Sequence, residues 1–152
     1  MPSKKSARTR ERLLSAAGDV FVEKGFRDAT VAEICARAGA NIAAVNYYFG
    51  GKEALYQEAW RHCLAESLRA HPPDGCADPG APPEERLRER LRALMGRIAD
   101  PETKDFFISQ MEIANPTGLL EEVMMRELIP MREKTLAMVR ELLGPDAEER
   151  QV

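Results

Sequence analysis

Apolar residues recur at helical spacing along most of this chain. Leu13, Leu14, Ala17, Val20 and Phe21 form a stripe with Arg10, Glu11, Asp19 and Glu23 outside it, which predicts a first helix over Thr9–Lys24. Gly25 follows as a C-terminal cap. Val31, Ile34, Cys35 and Ala38 mark one face of a second, short helix. Thr30 and Glu33 form a T-x-x-E capping box at its start, and Gly39 stands where a left-handed residue would close it. Asn41 suits the cap of a third helix, Ile42–Phe49, which Gly50-Gly51 ends. Phe26 and Phe49 are expected to pack on the first stripe and hold three helices as one bundle. A fourth helix, Lys52–Ala70, carries Leu55, Tyr56, Ala59, Trp60, Cys63, Leu64 and Leu68. That set is broad enough to touch the bundle on one side and something else on the other.

Residues 71–85, HPPDGCADPGAPPEE, cannot continue a helix and read as a loop and a domain boundary. Leu87, Leu91, Leu94, Met95 and Ile98 then predict a helix over Glu84–Ala99. Its arginines interleave with Glu84, Glu85 and Glu89, the pattern of a solvated face with i,i+4 pairs rather than a second nucleic-acid surface. Asp100-Pro101 is expected to start a further helix, carrying Phe106, Phe107, Ile108, Met111 and Ile113 and ending near Asn115-Pro116. Thr117–Leu143 reads as a long helical pattern in which Pro130 predicts a kink or two helices meeting. Gly144-Pro145 stops it.

Charge and chemistry refine this picture. The 152 residues suffice for one domain or two small ones. No run approaches the ~20 apolar residues of a membrane span. The basic start MPSKKSARTRER leads into no apolar signal region, so the cytoplasm is the expected compartment. The net charge of −3 hides an asymmetry: residues 1–62 hold ten Lys/Arg against seven Asp/Glu, net +3, and the remainder −6. A basic first part beside an acidic second suits a phosphate backbone at one end. Lys4, Lys5, Arg8, Arg10 and Arg12 read either as an arm along DNA or as a disordered solubilising tail.

Cys35 and Cys63 fall on apolar faces, and Cys76 lies in the loop, where it would be oxidisable. His62, Cys63, His71 and Cys76 match no standard ligand spacing, so neither a metal site nor a cofactor is expected. No Ser/His/Asp set, phosphate loop or H-E-x-x-H is present, which argues against an enzyme.

The chemistry that remains is a helix-turn-helix over Thr30–Lys52. Ile42, Ala43 and Ala44 keep the second helix low enough to approach a major groove and meet thymine methyls. Asn46 can pair bidentately with adenine, while Tyr47, Tyr48 and Lys52 suit phosphate oxygens. With Arg8, Thr30 and Asn41 these make up the candidate DNA-contact set. A capped, apolar helix pair also occurs in helical domains that never touch nucleic acid, and the flanking residues decide between the two readings.

Those flanks, TRERLLSAAGDVFVEKGF (Thr9–Phe26) and ATVAEICARAGANIAAVNYYFGGKEALY (Ala29–Tyr56), resemble the TetR family of bacterial transcriptional regulators. Tyr47, Phe49, Lys52, Glu53 and Leu55 match the family's passage out of the recognition helix, and NIAAVNYYFGGK looks like the CecR-like subgroup. The resemblance covers about the first 65 residues. It implies an all-α protein with an N-terminal three-helix helix-turn-helix head and a C-terminal helical regulatory body. The expected division is 1–52 head, 53–71 connecting helix, 72–85 loop and 86–152 ligand-binding and dimerisation domain. It further implies a ligand-responsive repressor on a palindromic double-stranded DNA operator, acting as a homodimer in the bacterial cytoplasm and nucleoid, with no membrane partner. Family members carry further C-terminal helices that form a four-helix dimer interface, and this chain is expected to be short of them. The effector should be a small apolar or amphipathic molecule. Trp60, Phe106, Phe107, Met111, Met124 and Met131 are the candidate ligand residues, because methionine adapts to varied apolar shapes; core filling is the alternative. A helical protein-interaction module without regulated DNA binding is the competing function.

Overall fold

A computed structural model describes residues 4–75 and 77–144. Cys76, the stop at Pro145 and the end of the expected body lie outside the described residues. The described chain forms seven helices and no strand: α1 (Lys4–Asp28), α2 (Val31–Ala38), α3 (Ile42–Phe49), α4 (Lys52–Ala70), α5 (Pro83–Ala99), α6 (Lys104–Ala114) and α7 (Glu121–Leu143).

Residues 4–12 are the first turns of α1 and neither an arm nor a disordered tail. Their lysines, arginines and alanine are good helix formers, and they run straight into the apolar stripe. Leu13, Leu14, Ala17, Val20 and Phe21 of that stripe are all buried. The regular helix breaks at Gly25, whose φ of 72° is the left-handed region open to glycine.

The chain divides into two compact units, 4–67 with 101–123 and 68–100 with 124–144, whose seams fall inside α4 and α7. In the first unit Phe21 and Tyr56 meet edge-on with ring centroids 4.7 Å apart, and Phe26 lies 4.9 Å from Tyr56. The structure groups α6 with this unit, not with the C-terminal body as expected. Trp60 Nε1–H donates to Ser109 Oγ at 2.9 Å, and Lys104 Nζ lies 2.6 Å from Asp19 Oδ1. Burial pulls the Lys104 ammonium down, but the Asp19 carboxylate outweighs it and the net shift is upward.

Two helices start later than expected. Pro101 and Glu102 form a turn, so α6 begins at Lys104. Residues 117–120 are not helical, and α7 begins at Glu121. The reason is the buried Glu112 carboxylate, which accepts from the N–H groups of Thr117 at 2.9 Å and Gly118 at 3.1 Å. Those donors hold a corner in place of a first helical turn, and Gly118 takes the positive φ that the corner requires. Tyr56 O–H also donates to Glu112, at 3.1 Å. Burial, then the adjacent Glu112 charge, pushes the Tyr56 phenol well above its usual range.

In the second unit α5 starts with Pro83, one residue before the expected Glu84, where a missing N–H costs nothing. Its arginines do not all face water. Arg88 pairs with Glu84 at 2.7 Å as a solvated i,i+4 pair, but Arg90 is buried. The Arg90 guanidinium donates to Asp74 of the loop, to Thr135 Oγ1 at 2.7 Å and to the Met131 carbonyl at 2.8 Å. One cation therefore ties the proline-rich loop to two helices. α7 runs through Pro130 as a single helix, where a break into two helices was one expectation. The α5 stripe is half open: Leu91, Leu94, Met95 and Ile98 are exposed, as is Ile129 on α7.

Candidate nucleic-acid interface

The helix-turn-helix is built by two side-chain caps and a left-handed glycine. Thr30 Oγ1 accepts from the Glu33 N–H at 3.2 Å, and Gly39 adopts φ 61° and ψ 41°. Asn41 Oδ1 accepts from the Ala44 N–H at 2.9 Å and starts α3. The Cys35 thiol donates to the Asn41 carbonyl at 3.4 Å, so a buried α2 side chain braces the corner. Burial raises the pKa of that thiol.

α3 is anchored by one fully buried side chain, Val45. Around it Asn41, Ile42, Ala43, Asn46 and Tyr47 are exposed, Ile42 at 54 % and Tyr47 at 80 %. Ala44 and Tyr48 are half-buried. A short helix that presents isoleucine and tyrosine to water has apolar surface to offer a partner. Tyr47 and Tyr48 sit edge-on, 4.9 Å between centroids. Tyr48 and Ser6 share a hydroxyl hydrogen bond of 2.9 Å, which joins α3 to the first turn of α1.

Charged groups near α3 sort into those held by the framework and those facing out. Arg10 pairs with Glu58 at 2.9 Å and lies 5.3 Å over the Phe49 ring. Arg37 grips Glu23 with both terminal nitrogens, at 2.6 and 2.9 Å, which holds that carboxylate below its usual range. Lys52 Nζ lies 4.4 Å over the Phe26 ring and reaches the Arg27 carbonyl at 3.5 Å. Arg8 is exposed on the first turns of α1. Sequence reasoning missed Ser6, because no local pattern signals a partner 42 residues away.

The order of helices, the capped corner and the outward α3 are those of a known architecture. The family model described as "Bacterial regulatory proteins, tetR family" matches residues 13–59, and that of the "HTH-type transcriptional dual regulator CecR, C-terminal domain" matches 83–152. The chain is 30% identical to the HTH-type transcriptional dual regulator CecR of Shigella flexneri, over 95% of this chain and 69% of that protein. The chain belongs to the TetR family of bacterial regulatory proteins.

Among other TetR-family relatives, the regulator BetI 1 of Chromohalobacter salexigens is 34% identical over 57% of this chain and 40% of its own length. An HlyIIR mutant structure with a thrombin-site linker superposes with a TM-score of 0.65 at 24% identity, over 90% of this chain and 73% of that one. A TetR-family regulator from Vibrio parahaemolyticus gives a TM-score of 0.62 at 21% identity, over 93% and 71%. Both likenesses bear on the fold.

The candidate ligand residues scatter. Trp60 is fully buried in the first unit. Met111 lines a cavity of about 280 Å³ there, beside Gly25, Tyr56 and Glu112. Phe106 is half-buried and Phe107 exposed, and Met124 is half-buried at the start of the second unit's part of α7. Met131 alone of the six lines a separate cavity of about 320 Å³ in the second unit. Sequence reasoning missed that cavity's His71, Arg90, Leu94 and Leu128, since a loop histidine and helix arginines read as solvated. Among the described residues, no cluster of three or more His, Cys, Asp or Glu could hold a metal, and no helix is long and apolar enough to cross a membrane.

Proposed function

We propose that this TetR-family member is a ligand-responsive repressor that binds a palindromic operator as a homodimer. The observation that carries the reading is α3: one buried valine holds a helix whose remaining capped start and outer face point away from the core. In a major groove Ile42, Ala43 and Ala44 would meet thymine methyls and Asn46 an adenine edge. Tyr47, Tyr48, Lys52, Arg8 and the Thr30 hydroxyl would contact phosphates and set register. Asn41 would act as the cap that aims the α3 N-terminus, since its Oδ1 is spent on Ala44.

The effector would occupy the cavity of about 320 Å³ in the second unit, which is within the usual size for small-molecule pockets. Ligand binding would shift the population toward a head spacing that no longer fits two half-sites a helical turn apart. Two features would be needed in solution, a dimer and a DNA preference. Fluorescence anisotropy on the DNA upstream of its own gene, with a scrambled duplex beside it and a salt series, tests the DNA preference, and solution mass tests the dimer. Tight, salt-sensitive binding that prefers the native duplex supports the reading. Equal, weak binding to both duplexes overturns it.

The exposed Leu91, Leu94, Met95 and Ile98 stripe favours the competing reading of a helical protein-interaction module. A strict monomer at high concentration, combined with no duplex preference, would select that reading.

A further inference from the structure

The first three turns of α1 carry a row of cations that the framework does not use. Lys5, Arg8 and Arg12 stand at i, i+3 and i+7, so they share one side of the helix and span about 10.5 Å at 1.5 Å per residue. All three are exposed, and none forms an ion pair with a described residue. Glu11, the one acid in residues 4–12, pairs with none of them. Their neighbours differ: Arg10 is paired with Glu58, Lys24 with Glu33 and Arg37 with Glu23. The row flanks α3. Ser6 bonds Tyr48 and Arg10 covers Phe49 at the α3 end. Arg12 reaches the corner before the α3 start, where its Nη1 lies 3.8 Å from the place a Cβ on Gly39 would take.

This arrangement works against α1 as an isolated helix. Like charges at i,i+3 and i,i+4 repel each other. A cation in the first turn also opposes the positive end of the helix dipole, and that turn holds no acidic residue. No described carboxylate neutralises the row, so its counter-charge must come from outside the chain. Double-stranded DNA offers one phosphate charge per about 1.7 Å of its axis, and the walls of a major groove that α3 enters are lined with them. We infer that Lys5, Arg8 and Arg12 form a phosphate track beside α3, three contacts per chain that hold register and read no bases. The inference rests on the DNA-binding reading of α3. To its single α1 contact, Arg8, it adds two more and their order along the helix.

The test is a salt series of anisotropy titrations on native and scrambled duplexes, with Lys5→Ala, Arg8→Ala and Arg12→Ala made separately in the full chain. Each should lower the slope of log affinity against log salt by about one per bound chain and weaken both duplexes by the same factor. Alanine is the best helix former, so thermal melting followed by circular dichroism should show no loss of stability in any of the three. Lys134→Ala, which removes an exposed cation from α7, should leave the slope unchanged. Wild-type slopes in Lys5→Ala and Arg12→Ala overturn the inference, and so does an equal fall in Lys134→Ala. The operator reading is judged on the unsubstituted chain. A native-duplex preference with unmoved slopes in the variants keeps that reading and removes the track. Equal binding to both duplexes, with slopes that fall in the variants, keeps the track and removes the operator. Absence of binding to either duplex removes both.

Discussion

The Ser6 and Tyr48 hydroxyls lie 2.9 Å apart, linking the first turn of α1 to the last turn of α3. The basic start of the chain is thereby tied to the helix that would enter a groove. Fixing Tyr48 in this way sets where its oxygen can meet a phosphate. Ser6→Ala should weaken binding to operator and scrambled DNA by the same factor, about 1 kcal/mol or fivefold, the usual worth of one hydrogen bond. Tyr48→Phe should do the same, and the double variant should cost no more than either alone. Anisotropy titrations on the two duplexes check this; fully additive losses would show that the pair does not act as a unit.

Asn46 is exposed on the same helix and faces no phosphate-binding task in the proposed docking. Asn46→Ala should narrow the gap between operator and random DNA by about 1–3 kcal/mol, the range for a bidentate base contact. Binding to scrambled duplex should stay unchanged. A gap that survives the substitution removes Asn46 from base reading.

Val45 is the one buried residue of α3. Val45→Ala should destabilise the head by roughly 2 kcal/mol, since it deletes buried methyl groups and leaves a cavity. Urea unfolding followed by circular dichroism measures the loss. DNA affinity should fall for both duplexes in parallel, because α3 loses its fixed attitude.

The buried Glu112 carboxylate gathers donors from the buried Tyr56 and from Thr117 and Gly118 of the more open corner. Glu112→Ala should cost about 2 kcal/mol or more, because it strands the buried Tyr56 hydroxyl and takes the acceptor from two N–H groups of the corner. Tyr56→Phe removes one donor and should cost only about 1 kcal/mol. Comparable losses from the two variants would show that the carboxylate is not the hub.

The Cys63 thiol, packed against Gly18, is pushed up to about 12 by burial, from an ordinary value of 9.0. The folded state therefore holds its proton longer than the unfolded state. The contribution is fully present below pH 9 and is lost as pH rises from there toward 12, at up to about 1.4 kcal/mol per pH unit. Cys63→Ala should flatten the fall of stability over that window in urea unfolding at stepped pH. Native-state alkylation at pH 8 should also leave Cys63 and Cys35 unlabelled until urea is added, as read by peptide mass spectrometry.

What the sequence determined by itself is local. Helical period, the Thr30 and Asn41 caps and the Gly39 corner are each written in a few adjacent residues, and the structure carries them as read. The fourth helix, Lys52–Ala70, was likewise legible from its stripe. Tertiary structure decided whatever depends on partners far apart in the chain. Thr117 and Gly118 leave the helix because their N–H groups reach the Glu112 carboxylate, and α6 joins the head because Trp60 and Tyr56 supply donors to it. Arg90 turns inward because the loop's Asp74 and the α7 acceptors Thr135 and Met131 compensate the loss of water around its charge. Helix periodicity reports which residues are apolar. Which polar groups can be buried depends on their partners, and the fold alone brings those together.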